Sequence, residues 1–377
     1  MIKKRVTKAR LLLLAAFVIF ISYEAYMHQV KGGGPDGSPS IHALCPYGGL
    51  ESLYSMFLTG ALIDKIYGGT IVLFIVSILT ALFFRRGFCS WICPLGGMQE
   101  FLGRLGRKVM GKQLRMPPSV DKYLRYLKYG VLVLTAVLSW KTASMWVSPY
   151  DPWAAFGHLS EGFPSLWKEF AVGFVILIIT FIGSFLYDRF FCKYLCPMGG
   201  FLAFISKISP FSIQRDDDLC INCNLCTKVC PMNIDVAKVE TASTLECINC
   251  QECVEVCPKE GALTNRVSFN KKLKLTPVLV GVSVLIIYFG GIGIAKMVDL
   301  YTLLPGPITE ETIVTDVDTL KGYMTLSEIS TLMHLPLEEV YSRMSIPAEV
   351  PAETEAKQLE QYIPGFDFHE ARNALRD

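Results

Sequence analysis

Two runs of cysteine constrain this chain more than any other feature. The first reads Cys220-Ile-Asn-Cys223-Asn-Leu-Cys226-Thr-Lys-Val-Cys230-Pro231, and the second Cys247-Ile-Asn-Cys250-Gln-Glu-Cys253-Val-Glu-Val-Cys257-Pro258. Three thiolates spaced by two residues wrap one face of an iron–sulfur cubane, and a fourth, one helical turn further on and followed by proline, reaches across to a neighbouring cluster. The spacing therefore assigns Cys220, Cys223, Cys226 and Cys257 to one 4Fe-4S cluster, and Cys247, Cys250, Cys253 and Cys230 to a second. Zinc would take four ligands per ion without this doubled spacing and trailing proline. A disulfide framework belongs to small secreted chains. The stretch from about Phe211 to Val267, with sixteen residues between Cys230 and Cys247, suits a compact α+β domain.

The rest of the chain reads as membrane. Half of its 377 residues are hydrophobic (51%), and the mean hydropathy is +0.38. Five apolar runs are candidates for crossing about 30 Å of hydrocarbon: Leu11–Met27, Ile66–Phe84, Tyr129–Trp146, Phe170–Tyr187 and Thr276–Ala295. Lys3, Lys4, Arg5, Lys8 and Arg10, ten Lys/Arg between Arg85 and Lys128, and Lys271, Lys272 and Lys274 all fall on one side of this arrangement. By the positive-inside rule that side is the cytoplasm. The first run has the pattern of a secretory signal and is read as an uncleaved anchor. The expected fold is thus a mainly α, internally duplicated integral membrane protein of about five transmembrane helices. Residues 1–210 form a four-helix membrane region, 211–267 an inserted cluster domain facing the cytoplasm, 268–298 a fifth span, and 299–377 an extracytoplasmic helical domain.

The duplication has a period of 103 residues. Pro46-Tyr47 matches Pro149-Tyr150, Arg86-x-Phe88-Cys89 matches Arg189-x-Phe191-Cys192, and Cys93-Pro94-x-Gly96-Gly97 matches Cys196-Pro197-x-Gly199-Gly200. Each unit has an even number of spans, so the two are expected to be related by a pseudo-twofold along the membrane normal. Cys89 and Cys93, like Cys192 and Cys196, lie four apart, and residues i and i+4 share a helix face. Proline stops the incoming helix and the Gly-Gly pair allows a sharp turn, so two cysteine pairs are expected at the cytoplasmic ends of spans two and four. Short amphipathic stretches are expected after them, at Met98–Val109 and Phe201–Ile208. Three readings fit the four thiols: a third iron–sulfur centre, a pair of redox-active dithiols, or reduced cysteines packed as small apolar residues. Cys45-Pro46-Tyr47-Gly48-Gly49 copies the same turn, but Ile41 stands where its first cysteine would be. A lone thiol on an outer loop is more often structural.

No histidine falls inside spans two to five, which argues against intramembrane haem. His42 and His158, on outer loops, are candidates for taking a proton from a quinol, against the ordinary reading as exposed loop residues. Tyr47, Tyr54, Trp146, Tyr150 and Trp153 read mostly as interfacial anchors. No glycine-rich phosphate loop or dinucleotide fingerprint occurs. From Lys296 to Asp377 there are 15 Asp/Glu against six Lys/Arg, so DNA binding is excluded on electrostatic grounds. That tail reads as short helices: Thr325-Leu-Ser-Glu328 is a capping box, Pro336–Arg343 is a helical run, Pro351–Gln361 is weakly helical and Phe366–Leu375 closes it. It is expected to dock a partner.

The doubled Cys-x3-Cys-Pro at Cys89/Cys93 and Cys192/Cys196, followed by the two ferredoxin motifs, resembles the membrane polyferredoxins of the NapH and NosR type over roughly Ile41 to Val267. The resemblance implies a two-cluster bacterial ferredoxin-like domain in the plasma membrane of a prokaryote, and electron transfer between the quinone pool and a partner redox protein, as a component of a quinone-linked oxidoreductase complex. It further implies that the Cys-x3-Cys-Pro pairs lie near the quinone or a relay site. The chain departs from the NosR type in having no flavin-binding domain before its first span, and from the NapH type in its fifth span and acidic tail. A reading from another class is a redox-sensing or maturation factor for a respiratory metalloenzyme, without quinone turnover. The two differ in whether quinol reduces the clusters steadily.

Overall fold

The computed structural model of the protein describes residues 5–60, 62–63, 66–112, 114–142, 144–268, 270–306, 317, 320, 322–366 and 368–376. The chain divides into two compact units, one of Met1–Gln29 with Pro39–Leu303, the other of Val30–Ser38 with Leu304–Asp377.

The first unit is built from α1 (Arg5–Lys31), α2 (Pro46–Thr59), α3 (Gly68–Phe84), α4 (Gly87–Trp91), α5 (Pro94–Met110), α6 (Pro118–Thr142), α7 (Pro152–Gly157), α8 (Phe163–Tyr187), α9 (Phe190–Tyr194), α10 (Pro197–Ser206), α11 (Leu225–Val229), α12 (Glu252–Val256) and α13 (Pro277–Met297). Six of these start on proline, whose missing N–H costs nothing in a first turn and whose φ is already helical. Among the described residues three helices, α1, α8 and α13, are long and apolar enough to cross a membrane. The other two expected spans differ from them. Helix α3 has 17 residues, about 25 Å at 1.5 Å per residue. Helix α6 begins at Pro118 rather than Tyr129, and its added turns carry Asp121, Arg125 and Lys128. Helix α8 begins at Phe163 but kinks at Phe170 (φ −125°, ψ 25°), where the apolar run begins.

The duplication is visible as α3–α4–α5 followed by α8–α9–α10. In each copy a five-residue helix ends with two N–H groups converging on one carbonyl: Ile92 and Cys93 donate to Phe88 O at 3.0 Å, Leu195 and Cys196 to Phe191 O at 2.9 Å. The stretches after the two turns are α5 and α10, and each packs on a neighbouring helix. Helix α5 packs so tightly on α8 that a Cβ at Gly106 would stand 1.8 Å from Phe185 O. On α10, Phe201 stacks on Phe74 of α3 with ring centroids 5.5 Å apart. Small residues let the backbones approach, which is how helices associate where lipid offers no hydrophobic gain.

Strands β1 (Phe211–Arg215), β2 (Leu263–Val267) and β3 (Asn270–Leu275) form an antiparallel sheet in that order. Phe211 pairs with Val267 and Ile213 with Asn265, so β1 and β2 close the cysteine-rich stretch at its two ends. In the second unit, α14 (Leu326–Met333), α15 (Leu337–Arg343), a 3-10 turn at Ala356–Gln361 and α16 (Phe368–Asn373) surround Leu326, Ile329, Leu332, Val340 and Leu359. The capping box is present: Thr325 Oγ1 accepts Glu328 N–H at 3.2 Å and Glu328 Oε2 accepts Thr325 N–H at 2.8 Å.

Candidate electron-transfer sites

The two cysteine runs fold as copies, each residue of the first matching one 27 positions later. In both loops two residues take the left-handed conformation, Asn222 (φ 53°) and Asn224 (φ 58°), then Asn249 (φ 57°) and Gln251 (φ 65°). Such turns aim successive backbone N–H groups into the concave side of a loop, forming a nest for an anionic group. Helices α11 and α12 then carry the third cysteine and end on Cys230 (φ −66°, ψ 112°) and Cys257 (φ −65°, ψ 120°). The following proline keeps both out of the helical region. Cys230, Cys247, Cys250 and Cys253 line one cavity of about 370 Å³, and Cys220, Cys223, Cys226 and Cys257 line another of about 360 Å³. The fourth cysteine of each run thus faces the other run's cavity.

Among the described residues no group of three or more His, Cys, Asp or Glu closes tightly enough to hold a single metal ion. A cubane spreads its four thiolates over four irons, and two cavities of equal size with four thiols each fit that group. Burial pushes the Cys230 thiol up to about 11. Burial thus disfavours the thiolate there, a cost that a bound metal centre would offset. The two cavities differ in exposure. Cys223 is exposed and Cys220 half-buried, whereas Cys230, Cys247 and Cys250 are buried.

The Cys-x3-Cys-Pro loops come together, but deeper than the ends of the helices. Cys93 and Cys196 pack in one cluster with Ile21 and Ile176, mid-helix residues of α1 and α8. The reason is that α4 and α9 fold back after the preceding helix, so α5 and α10 start inside the bundle. Cys89, Cys93 and Cys192 all lie within electrostatic range of Cys196. Cys45 joins the same cluster at the start of α2, so it is not the isolated loop thiol its sequence position indicated.

Two arginines that the repeat had flagged only as matching letters cross between the copies. Arg189 Nη1 donates to Cys89 O at 2.7 Å and its Nη2 to Glu100 at 2.6 Å. Arg86 reaches the opposite turn, its Nη2 2.7 Å from where a Cβ on Gly199 would stand. Both side chains are fully buried, and Arg86 Nε and Nη2 have no hydrogen-bond partner. A fully buried guanidinium with two nitrogens unpartnered, within electrostatic range of Cys89, Cys192 and Cys196, suits an anionic group held by these thiols, so these residues fit an iron–sulfur centre.

Side chains lying between the paired cysteines reach the loops that form the buried cavity. Trp91 donates its indole N–H to Asn249 O at 3.1 Å, and Lys193 Nζ donates to Asn233 Oδ1 at 3.0 Å. Around them Arg10 pairs with Glu100 at 2.5 Å and Glu252 at 2.6 Å, Arg104 bridges the same two carboxylates, and Lys128 pairs with Glu246 at 2.5 Å. Glu255 accepts the N–H groups of Val6 and Thr7, at 2.7 and 2.8 Å, and the Thr7 hydroxyl at 2.5 Å.

Near the other end of α1, His28, His42 and His158 line a cavity of about 270 Å³ with Gln29, Ser40 and Gly157. His42 is buried, with Nε2 3.0 Å from Ser148 Oγ. His158 Nδ1 lies 2.9 Å from Glu161 Oε1 and 3.3 Å from Gln29 Nε2. Sequence reading had picked out His42 and His158 but neither His28 nor Gln29 as site residues, because the end of α1 meets these loops only in three dimensions. Of the expected aromatic anchors, Trp146 and Tyr150 are partly exposed and stacked, whereas Tyr47 and Trp153 are core. The side chain of Tyr54 lies outside the described residues.

A 4Fe-4S binding domain matches residues 68–113 and again 170–215, and a 4Fe-4S dicluster domain matches 212–258. The chain is 32% identical over 322 residues to the putative electron transport protein YccM of Escherichia coli, covering 81% of this chain and 87% of that one. It is 29% identical over 234 residues to the ferredoxin-type protein NapH of Haemophilus influenzae (59% and 73% covered). To the regulatory protein NosR of Pseudomonas aeruginosa it is 30% identical over 164 residues (42% and 22% covered). No solved structure matches. Apolar helices, cysteine cavities and these matches define an iron–sulfur electron-transfer protein of the membrane. Within that class, the chain belongs to the membrane polyferredoxin family of the NapH and NosR type.

Proposed function

We propose that the chain is a plasma-membrane electron-transfer subunit linking the quinone pool to a partner redox protein. In this reading α1, α3, α6, α8 and α13 are five spans, four in residues 1–210 and the fifth in 268–298, and 211–267 is the two-cluster domain. The N-terminus and that domain face the cytoplasm, and the acidic domain 299–377 faces out, where it docks a second partner. Cys220, Cys223, Cys226 and Cys257 hold one 4Fe-4S cluster, Cys247, Cys250, Cys253 and Cys230 another, and Cys89, Cys93, Cys192 and Cys196 a third iron–sulfur centre. Such centres supply one-electron storage. The chain supplies the order. Exposed Cys223 with Ile221 offers the partner an edge, buried Ile248 and Met232 keep water from the inner cavity, and Trp91 and Lys193 clamp that cavity to the thiol loops. His42 and His158 take the proton of a quinol at their ring nitrogens.

The observation that supports this reading is the succession within one unit of an exposed four-thiol cavity, a buried one and a third thiol group joined to it by two hydrogen bonds. Iron analysis of anaerobically purified protein tests it. About twelve irons per chain are expected, at four per cubane, falling to about eight in a Cys93→Ser, Cys196→Ser double variant. A content near eight in both would remove the third centre. The NosR relative is a regulatory protein, which favours the second reading, a redox-sensing or maturation factor. Clusters left unreduced by quinol, with a partner enzyme losing its metal centre on deletion of this chain, would establish that alternative.

A further inference from the structure

The two halves of the central thiol site are built alike, but their arginines are paired differently. Arg86 and Arg189 occupy equivalent positions of the repeat, are both fully buried, and each crosses to the other copy's glycine turn, Arg189 Nη1 standing 2.9 Å from a Cβ on Gly96 as Arg86 Nη2 does at 2.7 Å from one on Gly199. Arg189 pairs with Glu100 at 2.6 Å, a carboxylate it shares with Arg10 and Arg104. The residue 103 positions after Glu100 is Ala203, buried on α10. Arg86 has no carboxylate at that position. Its Nη1 instead reaches Leu245 O at 3.5 Å and Glu246 Oε2 at 3.6 Å, both longer than a normal N–H···O bond. Glu246 is already committed to Lys128 at 2.5 Å and faces Arg125 at 3.6 Å. Arg86 Nε and Nη2 stay unpartnered.

We propose that Arg86 is the fixed counter-charge of the centre held by Cys89, Cys93, Cys192 and Cys196, and raises its reduction potential. The proposal rests on the third-centre reading given above. Arginine stays protonated at any working pH, so its charge does not titrate away. Adding one electron, with no proton, makes the thiolate-bound centre more negative by one charge, and a buried cation whose carboxylate stands off at 3.6 Å stabilises that state. The two copies differ in this pairing. Glu100 meets Arg189 at 2.6 Å, whereas the matching position on α10 is Ala203. Gly199 is required for the approach, since a side chain there would occupy the position of Nη2. The other edge of the guanidinium faces Glu246, which precedes Cys247, so Arg86 stands between the central site and the buried cavity and acts on both, more strongly on the former.

The test is a redox titration followed by electron paramagnetic resonance on the full-length chain, for wild type, Arg86→Gln and Arg86→Lys, each with its iron counted. Arg86→Gln is expected to lower the reduction equilibrium of the central centre at least tenfold, 59 mV for one electron, with a smaller shift at the Cys247 cluster. Arg86→Lys, which keeps the charge, is expected to recover most of it. Wild-type iron near eight per chain would overturn the third-centre reading and this one with it. Wild-type iron near twelve with an unshifted Arg86→Gln would overturn the role of Arg86 alone. If Arg86→Gln loses the central iron, Arg86→Lys decides. Iron retained by Lys supports a charge role, and iron lost in both means that the guanidinium shape, not its charge, is what the site uses.

Discussion

Replacing Glu255 by glutamine should loosen the cluster domain from the membrane helices without touching a thiol. The Glu255 carboxylate takes three donors, Val6 N–H, Thr7 N–H and the Thr7 hydroxyl, within 2.5–2.8 Å. It thereby caps the first turn of α1 from a distance of some 250 residues in sequence (|i−j| 248 and 249). Glutamine keeps one acceptor oxygen, enough for Val6, and turns its NH2 toward the two Thr7 donors. Two charge-assisted hydrogen bonds are lost. At about 1.5 kcal/mol each, the low end for a half-buried site, that is about 3 kcal/mol. The attraction of a carboxylate for a helix N-terminus adds about 0.5 kcal/mol. Together these amount to a factor of a few hundred in the docked-to-undocked ratio, at about 1.4 kcal/mol per tenfold. Hydrogen exchange read by mass spectrometry over the first turn of α1 and over α12 is the assay. Exchange there should speed up by about that factor while α14 and α15, in the other unit, are unchanged. Rates within threefold of wild type in the first turn of α1 would refute the argument, because the N–H groups would then have another acceptor or the domain another tether.

Three further outcomes are expected. Gly106→Ala places a methyl 1.8 Å from Phe185 O, a backbone atom that cannot rotate away, so it should cost more than the about 1–3 kcal/mol of ordinary overpacking and show as a lowered melting temperature in detergent. A Cys89→Ser variant should keep both cluster signals under dithionite and lose their reduction by a quinol analogue, since Cys89 lines neither ferredoxin cavity. Reduction at the wild-type rate would take the Cys-x3-Cys-Pro loops out of the electron path. His42→Gln and His158→Gln should each slow quinol-driven reduction by about 100-fold, the scale of a lost general base, with dithionite reduction intact, and unchanged kinetics would move the quinol away from the histidine cavity.

Much of this was written locally in the chain. The grouping of the eight cysteines around two cavities was legible because it depends on short spacings, one helical turn and a proline, all within a few covalent bonds of each thiol. The duplication was legible as a period, and the capping box of Thr325 and Glu328 as four consecutive letters. The helical run at Phe170–Tyr187 was legible from apolarity, though not the earlier start of α8 at Phe163. What the sequence could not show is which distant groups share a place. Cys45 lies beside Cys93 and Cys196, His28 beside His42 and His158, and Tyr47 and Trp153 in the core, because those positions follow from how closely glycine faces let α5 and α10 enter the bundle. The polar start of α6 read as loop because propensity does not record that Arg125 and Lys128 meet Glu246 and Met232 O across the fold. Arg86 and Arg189 looked like two copies of one residue. Only their surroundings, with Glu100 at 2.6 Å from Arg189 and Ala203 at the matching position, leave Arg86 with a carboxylate no nearer than Glu246 at 3.6 Å, since the energy of a buried ion depends on what stands within a few ångströms of it rather than on its neighbours in the chain.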